Sequence, residues 1–318
     1  MKQRALLIAK WLWLAVVLAA AVWYLARNGP AVAEQVRSLH PEQIGLSIAC
    51  LVVTKFILTE ITRRSLHPSQ SVPRFRSCFY INGVTQVAKY LPGGVWHFVG
   101  KFAYYRGMAL TATEAGQAML VENSWLVASA GFFGIILAAP SLVKQSAALP
   151  LALRWLGETP QVAAWIGFTA WLLLLVLIEF AFLRNAARAF QRSLSLLVLQ
   201  AACWFSAGLS FWALFPATAR HEAFPLAVGA FSLAWVAGYL TIFAPGGIGA
   251  REAVLVVLLA GITPPGYALV LASIHRLLWT SAELLMGATA VIGGVLGVDW
   301  GVQPAPVVEA SDSGGAPG

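Results

Sequence analysis

Charge is what this sequence has least of. Of its 318 residues only 11% are Asp, Glu, Lys or Arg, while 59% are hydrophobic; an average soluble domain is about 25% charged. A water-soluble fold of this length could not hide so much apolar surface, so a soluble enzyme is excluded and a chain partly solvated by lipid is implied. Cysteine is scarce too. Cys50, Cys78 and Cys203 have no CxxC or CxH spacing, which leaves neither a disulfide framework nor a thiolate metal site; they read as small buried apolar residues. The five His residues are scattered without HExxH, so no metal and no cofactor is expected. A phosphate loop is also missing. Five residues separate Gly94 from Gly100-Lys101 where that motif has four, and Phe102 follows where it needs Ser or Thr. Any transport would be passive, ion-coupled or driven by a partner.

What is present is a series of long apolar runs. Spanning helices need about 20 apolar residues, and six runs qualify: about 6–26, 42–62, 117–139, 160–183, 194–217 and 267–297. Two further apolar regions are broken by Pro-Gly-Gly, at Pro92-Gly93-Gly94 within 75–107 and at Pro245-Gly246-Gly247 within 225–262. The thirteen Trp residues suit membrane–water interfaces. Met1-Lys2-Gln3-Arg4 could open a signal peptide, but the many later runs favour a retained first span. Residues 1–300 are expected to form one transmembrane domain, and 301–318, rich in Pro, Gly, Ala and Ser, a disordered tail.

The net charge of +8 sits in short clusters between apolar runs, which points to topology and anionic lipid, with no nucleic acid as partner. Lys2, Arg4 and Lys10 place the N-terminus inside. Arg63, Arg64, Arg74 and Arg76 mark one inner connection, and Arg184, Arg188 and Arg192 another. The proposed outer connections are mixed in sign and hold half as many basic residues, five against ten. This parity requires 75–107 to enter and leave on one side, as a hairpin dipping in from the cytoplasm. The second broken region would dip in from outside, although two true spans over 225–262 would keep the same parity. The fold class expected is therefore an all-α polytopic bundle with inverted repeats and two re-entrant helical hairpins at Pro-Gly-Gly, with both termini cytoplasmic.

The two breaks read alike. Tyr90-Leu91-Pro92-Gly93-Gly94-Val95 matches Phe243-Ala244-Pro245-Gly246-Gly247-Ile248, and each is followed by a span bearing Trp, Trp125 or Trp279. Interrupted helices in matching positions of inverted repeats mark a transporter's binding site. Proline stops the helix, glycine lets backbone approach a ligand, and the half-helix that follows presents its first N–H groups to an anion. Ionisable residues at membrane depth are costly and mark function or a buried pair. Those near the breaks are Lys89, Lys101, Glu122, Arg251, Glu252, Arg276 and Glu283. One arrangement uses all of them: Lys89, Lys101, Arg251 and Arg276 surround an anionic headgroup, and the glutamates hold those cations. The alternative is a set of ion pairs that only fix packing. Lys55 and Glu60 are weaker candidates because, five apart, they share no helix face. The substrate-binding set is thus Lys89, Pro92, Gly93, Gly94, Lys101, Glu122, Pro245, Gly246, Gly247, Gly249, Arg251, Glu252, Arg276 and Glu283, with no catalytic residue.

The run Phe243-Ala244-Pro245-Gly246-Gly247-Ile248-Gly249-Ala250-Arg251-Glu252-Ala253, a short apolar helix and then Arg276-Leu277 resembles the membrane domain of lysylphosphatidylglycerol synthases, which also defines a family of stand-alone flippase-like proteins. Leu91-Pro92-Gly93-Gly94, the run Lys101 to Gly107, and Glu122 are similar to the first repeat of that domain; Asn123 stands where the family's glutamate is often followed by Arg. The resemblance covers about residues 5–297 and implies translocation of an anionic or aminoacylated phospholipid, or of a polyprenyl-type lipid-linked headgroup. It also implies a bacterial or archaeal inner membrane and a possible partner synthase or glycosyltransferase. The chain ends at Gly318, so the family's soluble aminoacyl-transferase activity is not expected. Two alternatives stand beside this one: a membrane transferase using His97, His275 or Glu252, and an accessory subunit of a lipid or glycan pathway.

Overall fold

The computed structural model describes residues 29–30, 33, 37–66, 73–90, 95–144, 160–183, 186–216, 220–241 and 244–302. The first expected span, Pro92-Gly93-Gly94 and the tail beyond residue 302 lie outside them. Nine helices follow one another in the described part: α1 Pro41–Ser65, α2 Phe75–Val87, α3 Trp96–Gly107, α4 Ala112–Lys144, α5 Pro160–Leu183, α6 Ala186–Trp212, α7 Arg220–Leu240, α8 Ala250–Leu259 and α9 Pro265–Val295. Short 3-10 turns occupy Ala88–Tyr90 and Pro245–Gly247. The described residues contain no strand. Five helices, α1, α4, α6, α7 and α9, hold segments long and apolar enough to cross a membrane, and the chain is a multi-pass membrane protein. The helices run a little past the expected spans, to residue 144 in α4 and back to 186 in α6, because helix propensity continues into the flanking polar residues where hydropathy stops.

In α1 the burial pattern is inverted relative to a helix of a soluble bundle. In α1 the inward residues include Ser47, Thr54, Lys55, Thr59 and Thr62, while Leu46, Ile48, Val52, Val53 and Phe56 face outward. Lipid makes that arrangement favourable: apolar side chains gain nothing by leaving it, and polar ones must find partners inside. Thr54 and Thr59 donate to the carbonyls of Cys50 and Lys55 one turn back, and Ser47 bonds Ser210 of α6 at 2.9 Å. Small residues let helices cross closely. A Cβ on Gly229 of α7 would lie 2.6 Å from the backbone of α4 at Ala138, and one on Gly83 of α2 would lie 2.9 Å from the carbonyl of Met286 in α9.

One end of the bundle is basic. Leu66 after α1, Cys78 of α2, Tyr105 of α3, Ala115 and Ala118 of α4, and Val302 beyond α9 share one apolar cluster there. Arg192 of α6 donates to the carbonyl of Ser65 at 2.6 Å. Ser77 donates to the carbonyl of Trp300, whose ring stacks on Phe79 and Tyr80, and Arg76 pairs with Asp299. The start of α2 and the end of α3 therefore lie at the same end. Between them the two helices run side by side: Tyr80 meets Tyr104 edge-on at 5.7 Å, and a Cβ on Gly100 would touch Thr85.

The second broken region is less symmetric. With 21 residues α7 is long enough to cross, whereas α8 has ten, about 15 Å of helix. The 3-10 turns at 88–90 and 245–247 contact one another, so the two interruptions meet inside the bundle.

Candidate functional site

The turn at Pro245–Gly247 is built on positive backbone angles that glycine adopts without strain: Gly246 (φ 58°), Gly247 (φ 73°) and then Gly249 (φ 86°), the N-cap of α8. A Cβ on Gly247 would lie 2.6 Å from the Cα of Gly238 in α7, so the turn lies directly on that helix. The carbonyl of Gly246 accepts a 2.6 Å hydrogen bond from the guanidinium of Arg276 in α9. Glu252, at the third position of α8, accepts from the backbone N–H of Gly249 at 2.7 Å and pairs with Arg276 at 3.5 Å. The first turn of α8 is thus capped by its own glutamate and tied to α9 by Arg276.

Around the first break the charges are arranged similarly but with signs exchanged. Lys101 of α3 pairs with Glu122 of α4 at 2.5 Å. Glu122 also accepts from Thr62 at 2.8 Å and from Tyr105 at 3.2 Å, and Asn82 donates to Thr62. One ion pair joins α3 to α4, Lys on α3 and Glu on α4, and another joins α8 to α9, Glu on α8 and Arg on α9. A third centre joins the two breaks: Glu283 of α9 accepts on one oxygen from Lys89 at 2.5 Å, Lys55 at 3.0 Å and the indole N–H of Trp279 at 2.6 Å. The Lys55 ammonium also sits 3.6 Å from the Trp279 ring centroid, a cation–π contact.

These groups line a cavity of about 370 Å³, within the size range of small-molecule sites. Lys55, Lys89, Lys101, Glu122, Arg251 and Glu283 contribute its charges, Gly246 and Gly247 part of its backbone wall, and Trp204, Trp235 and Tyr239 an aromatic side. Tyr239 stacks on Trp235 and donates to the amide oxygen of Asn123 at 2.7 Å. The stem of Arg251 lies against Gly238, where a Cβ would come within 2.5 Å of it, and its guanidinium is 5.9 Å from the Trp235 ring. An adjoining space of about 20 Å³, room for about one water, is lined by Lys89, Arg251, Glu252, His275 and Arg276 among others. Across both spaces five Lys and Arg side chains face three carboxylates.

The site is also deep. Glu122 is ten residues, about 15 Å, from the basic end of its helix, and Glu283 is twelve residues, about 18 Å. These distances compare with half of a hydrocarbon core about 30 Å thick.

Of the fourteen residues expected from sequence, Lys89, Lys101, Glu122, Gly246, Gly247, Arg251 and Glu283 line the main cavity, and Glu252 and Arg276 the adjoining space. Pro245 opens the turn and Gly249 caps α8; Pro92, Gly93 and Gly94 lie outside the described residues. Arg276 and Glu252 bond each other and the backbone around the second break, so they hold the site's shape, a role closer to the packing alternative. Lys55 departs from its low expectation. Glu60 instead pairs with Arg63 and Arg64 of its own helix, and Lys55 reaches α9, because a partner on another helix needs no shared face on its own. Thr62, Asn82, Tyr105, Trp235 and Tyr239 were not anticipated. For Thr62 a signal existed, since Ser47, Thr54, Lys55, Thr59 and Thr62 recur at helical spacing within an apolar run. His275 has a partner that sequence did not reveal: its Nε2 lies 3.0 Å from the Ser210 hydroxyl, with Phe211 and Phe231 packed on the ring.

The chain matches no protein-family model and no curated protein.

Proposed function

We propose that this protein translocates lipids, accepting an anionic phosphate-bearing headgroup in the mid-depth cavity while the acyl chains remain in the bilayer. The observation that carries this reading is the meeting of the two helix breaks at one deep cavity and its adjoining space, across which basic side chains outnumber carboxylates five to three. Charge at that depth is costly unless used, and an excess of one sign is what an oppositely charged ligand offsets. The aromatic side formed by Trp204, Trp235 and Tyr239 suits the less polar part of a headgroup.

In this reading α2 and α3 form a re-entrant hairpin from the basic, cytoplasmic end, and α7, the Pro-Gly-Gly turn and α8 form its inverted counterpart from the other side. The shared end of α2 and α3, and the exchanged ion pairs Lys101–Glu122 and Glu252–Arg276, support it. The resemblance to the flippase-like membrane domain of lysylphosphatidylglycerol synthases supports it also, and extends the substrate to aminoacylated phospholipids and lipid-linked headgroups. The transferase alternative would rest on the Ser210–His275 pair, and it is weakened because both side chains are buried, with Phe211 and Phe231 packed around the ring.

The test is leaflet-specific labelling in reconstituted vesicles. Fluorescent phosphatidylglycerol in the inner leaflet becomes accessible to an impermeant quencher when the protein is present; accessibility equal to that of empty vesicles defeats the reading.

A further inference from the structure

The uncharged lining of the main cavity carries information of its own. Trp235 and Tyr239, one turn apart on α7, stack at 5.1 Å, and Trp204 of α6 meets Trp235 edge-on at 4.9 Å. The three rings form one continuous wall. Amides line the same space: Asn82 and Gln86, one turn apart on α2, and Asn123 of α4, whose oxygen accepts from Tyr239 at 2.7 Å. The oxygen of Gln86 takes the Lys89 ammonium at 3.4 Å. Among the described residues neither the amide nitrogen of Gln86 nor the indole N–H of Trp235 has a hydrogen-bond partner. Both carboxylates of this cavity are in contact with lysine, Glu122 with Lys101 and Glu283 with Lys55 and Lys89. An amine-bearing headgroup would have to displace a lysine to reach either one. A hydroxylated ring needs no such exchange. Its C–H face packs on aromatic rings, and its hydroxyls, each both donor and acceptor, bond amides.

We propose that the headgroup is a sugar or other cyclic polyol joined to the lipid through phosphate. The ring lies against Trp204, Trp235 and Tyr239, its hydroxyls bond Gln86, Asn123 and the Trp235 indole, and the phosphate reaches the basic side chains. Arg251 links the two halves of the site, because its guanidinium is 5.9 Å from the Trp235 ring; a phosphate held there leaves its ring substituent beside the aromatic wall. The inference rests on the lipid-translocation reading and narrows its substrate class. Aminoacylated and other amine-bearing phospholipids are then the poorer ligands. The cavity, about 370 Å³, is at the small end of the range for ligand sites, which suits one ring and its phosphate with the chains left in lipid.

The experiment is calorimetric titration of the purified full chain in detergent with short-chain phosphatidylinositol, phosphatidylglycerol and phosphatidylethanolamine, and with glucose 1-phosphate. Phosphatidylinositol is expected to bind about tenfold tighter than phosphatidylglycerol, the effect of roughly one ring contact and one hydrogen bond. Phosphatidylethanolamine should bind weakest of the three lipids, and glucose 1-phosphate, which has no chains, more weakly than phosphatidylinositol. Trp235→Leu should erase most of the preference, with phosphatidylinositol losing more affinity than phosphatidylglycerol. Gln86→Leu reads the same ratio where Trp235→Leu does not fold, and the wild-type ranking decides by itself where neither does. Equal binding of phosphatidylinositol and phosphatidylglycerol, or phosphatidylethanolamine binding as tightly as phosphatidylinositol, overturns the polyol assignment and leaves the lipid reading standing. A preference that survives unchanged in both variants does the same. Glucose 1-phosphate binding as tightly as phosphatidylinositol overturns the lipid as the source of the ring and its phosphate. Wild-type protein that binds none of the three phospholipids defeats the lipid reading and the inference with it.

Discussion

Gly238 and Gly247 meet backbone to backbone: a Cβ on Gly247 would lie 2.6 Å from the Cα of Gly238, and a Cβ on Gly238 would lie 2.5 Å from the Arg251 side chain. The contact lets the Pro-Gly-Gly turn lie on α7 and aims Arg251 along the cavity wall. Overpacking at such contacts typically costs about 1–3 kcal/mol. Gly238→Ala should therefore lower the thermal unfolding midpoint in detergent. Gly247→Ala should lower it further, because its positive φ adds strain to the lack of space.

The Lys101–Glu122 pair is open to a double-mutant cycle. Removing one partner of a buried ion pair costs about 3–5 kcal/mol, because the other charge is left uncompensated. Glu122→Ala should be strongly destabilising. Adding Lys101→Met should recover much of the loss, read as unfolding free energies in mixed micelles. Equal stability of the single and double variants would mean that Lys101 finds another acceptor.

Native mass spectrometry addresses the site itself. Gently purified wild-type protein should retain an anionic lipid, and the Arg251→Ala, Arg276→Ala double variant should lose it. Arg276 also holds the carbonyl of Gly246, so each single variant belongs in the same experiment. Retention in Arg276→Ala but not in Arg251→Ala would assign the headgroup contact to Arg251 and a positioning role to Arg276.

Sidedness can be read with introduced thiols, since Cys50, Cys78 and Cys203 are buried. Cysteine at Arg74, Ala112 or Asp299 should react with an impermeant maleimide from one face of the membrane, and cysteine at Gly261 from the other. Labelling of positions 74 and 112 from opposite faces would rule out a re-entrant α2–α3 pair.

Much of the fold was legible because lipid imposes one strong rule: apolar runs of sufficient length become helices, and Pro245-Gly246-Gly247 ends one of them. The expected runs 42–62, 160–183 and 267–297 correspond closely to α1, α5 and α9. Breaks at the two Pro-Gly-Gly sites also direct attention to residues that do gather, Lys89 beside Gly246 and Arg251. Pairing was harder to read. Lys55 was discounted against Glu60 by helical spacing, yet its acceptor Glu283 is on α9, 228 residues away in the chain. Spacing along one helix constrains only partners on that helix. The aromatic side was hidden for a related reason: in a chain with thirteen Trp residues, nothing local separates the indole of Trp235, facing a cavity, from one at an interface.

Glu283 takes hydrogen bonds from three side chains on a single oxygen, two of them cationic, and this has a genetic consequence. Glu283→Gln leaves two buried ammonium groups facing each other, so the allele should yield little folded protein. Loss of either lysine removes that repulsion. Selection for restored expression should therefore return second-site revertants concentrated at Lys55 and Lys89, positions in different helices with no other reason to appear together. Revertants scattered over the chain would instead mark the carboxylate as one packing contact among many.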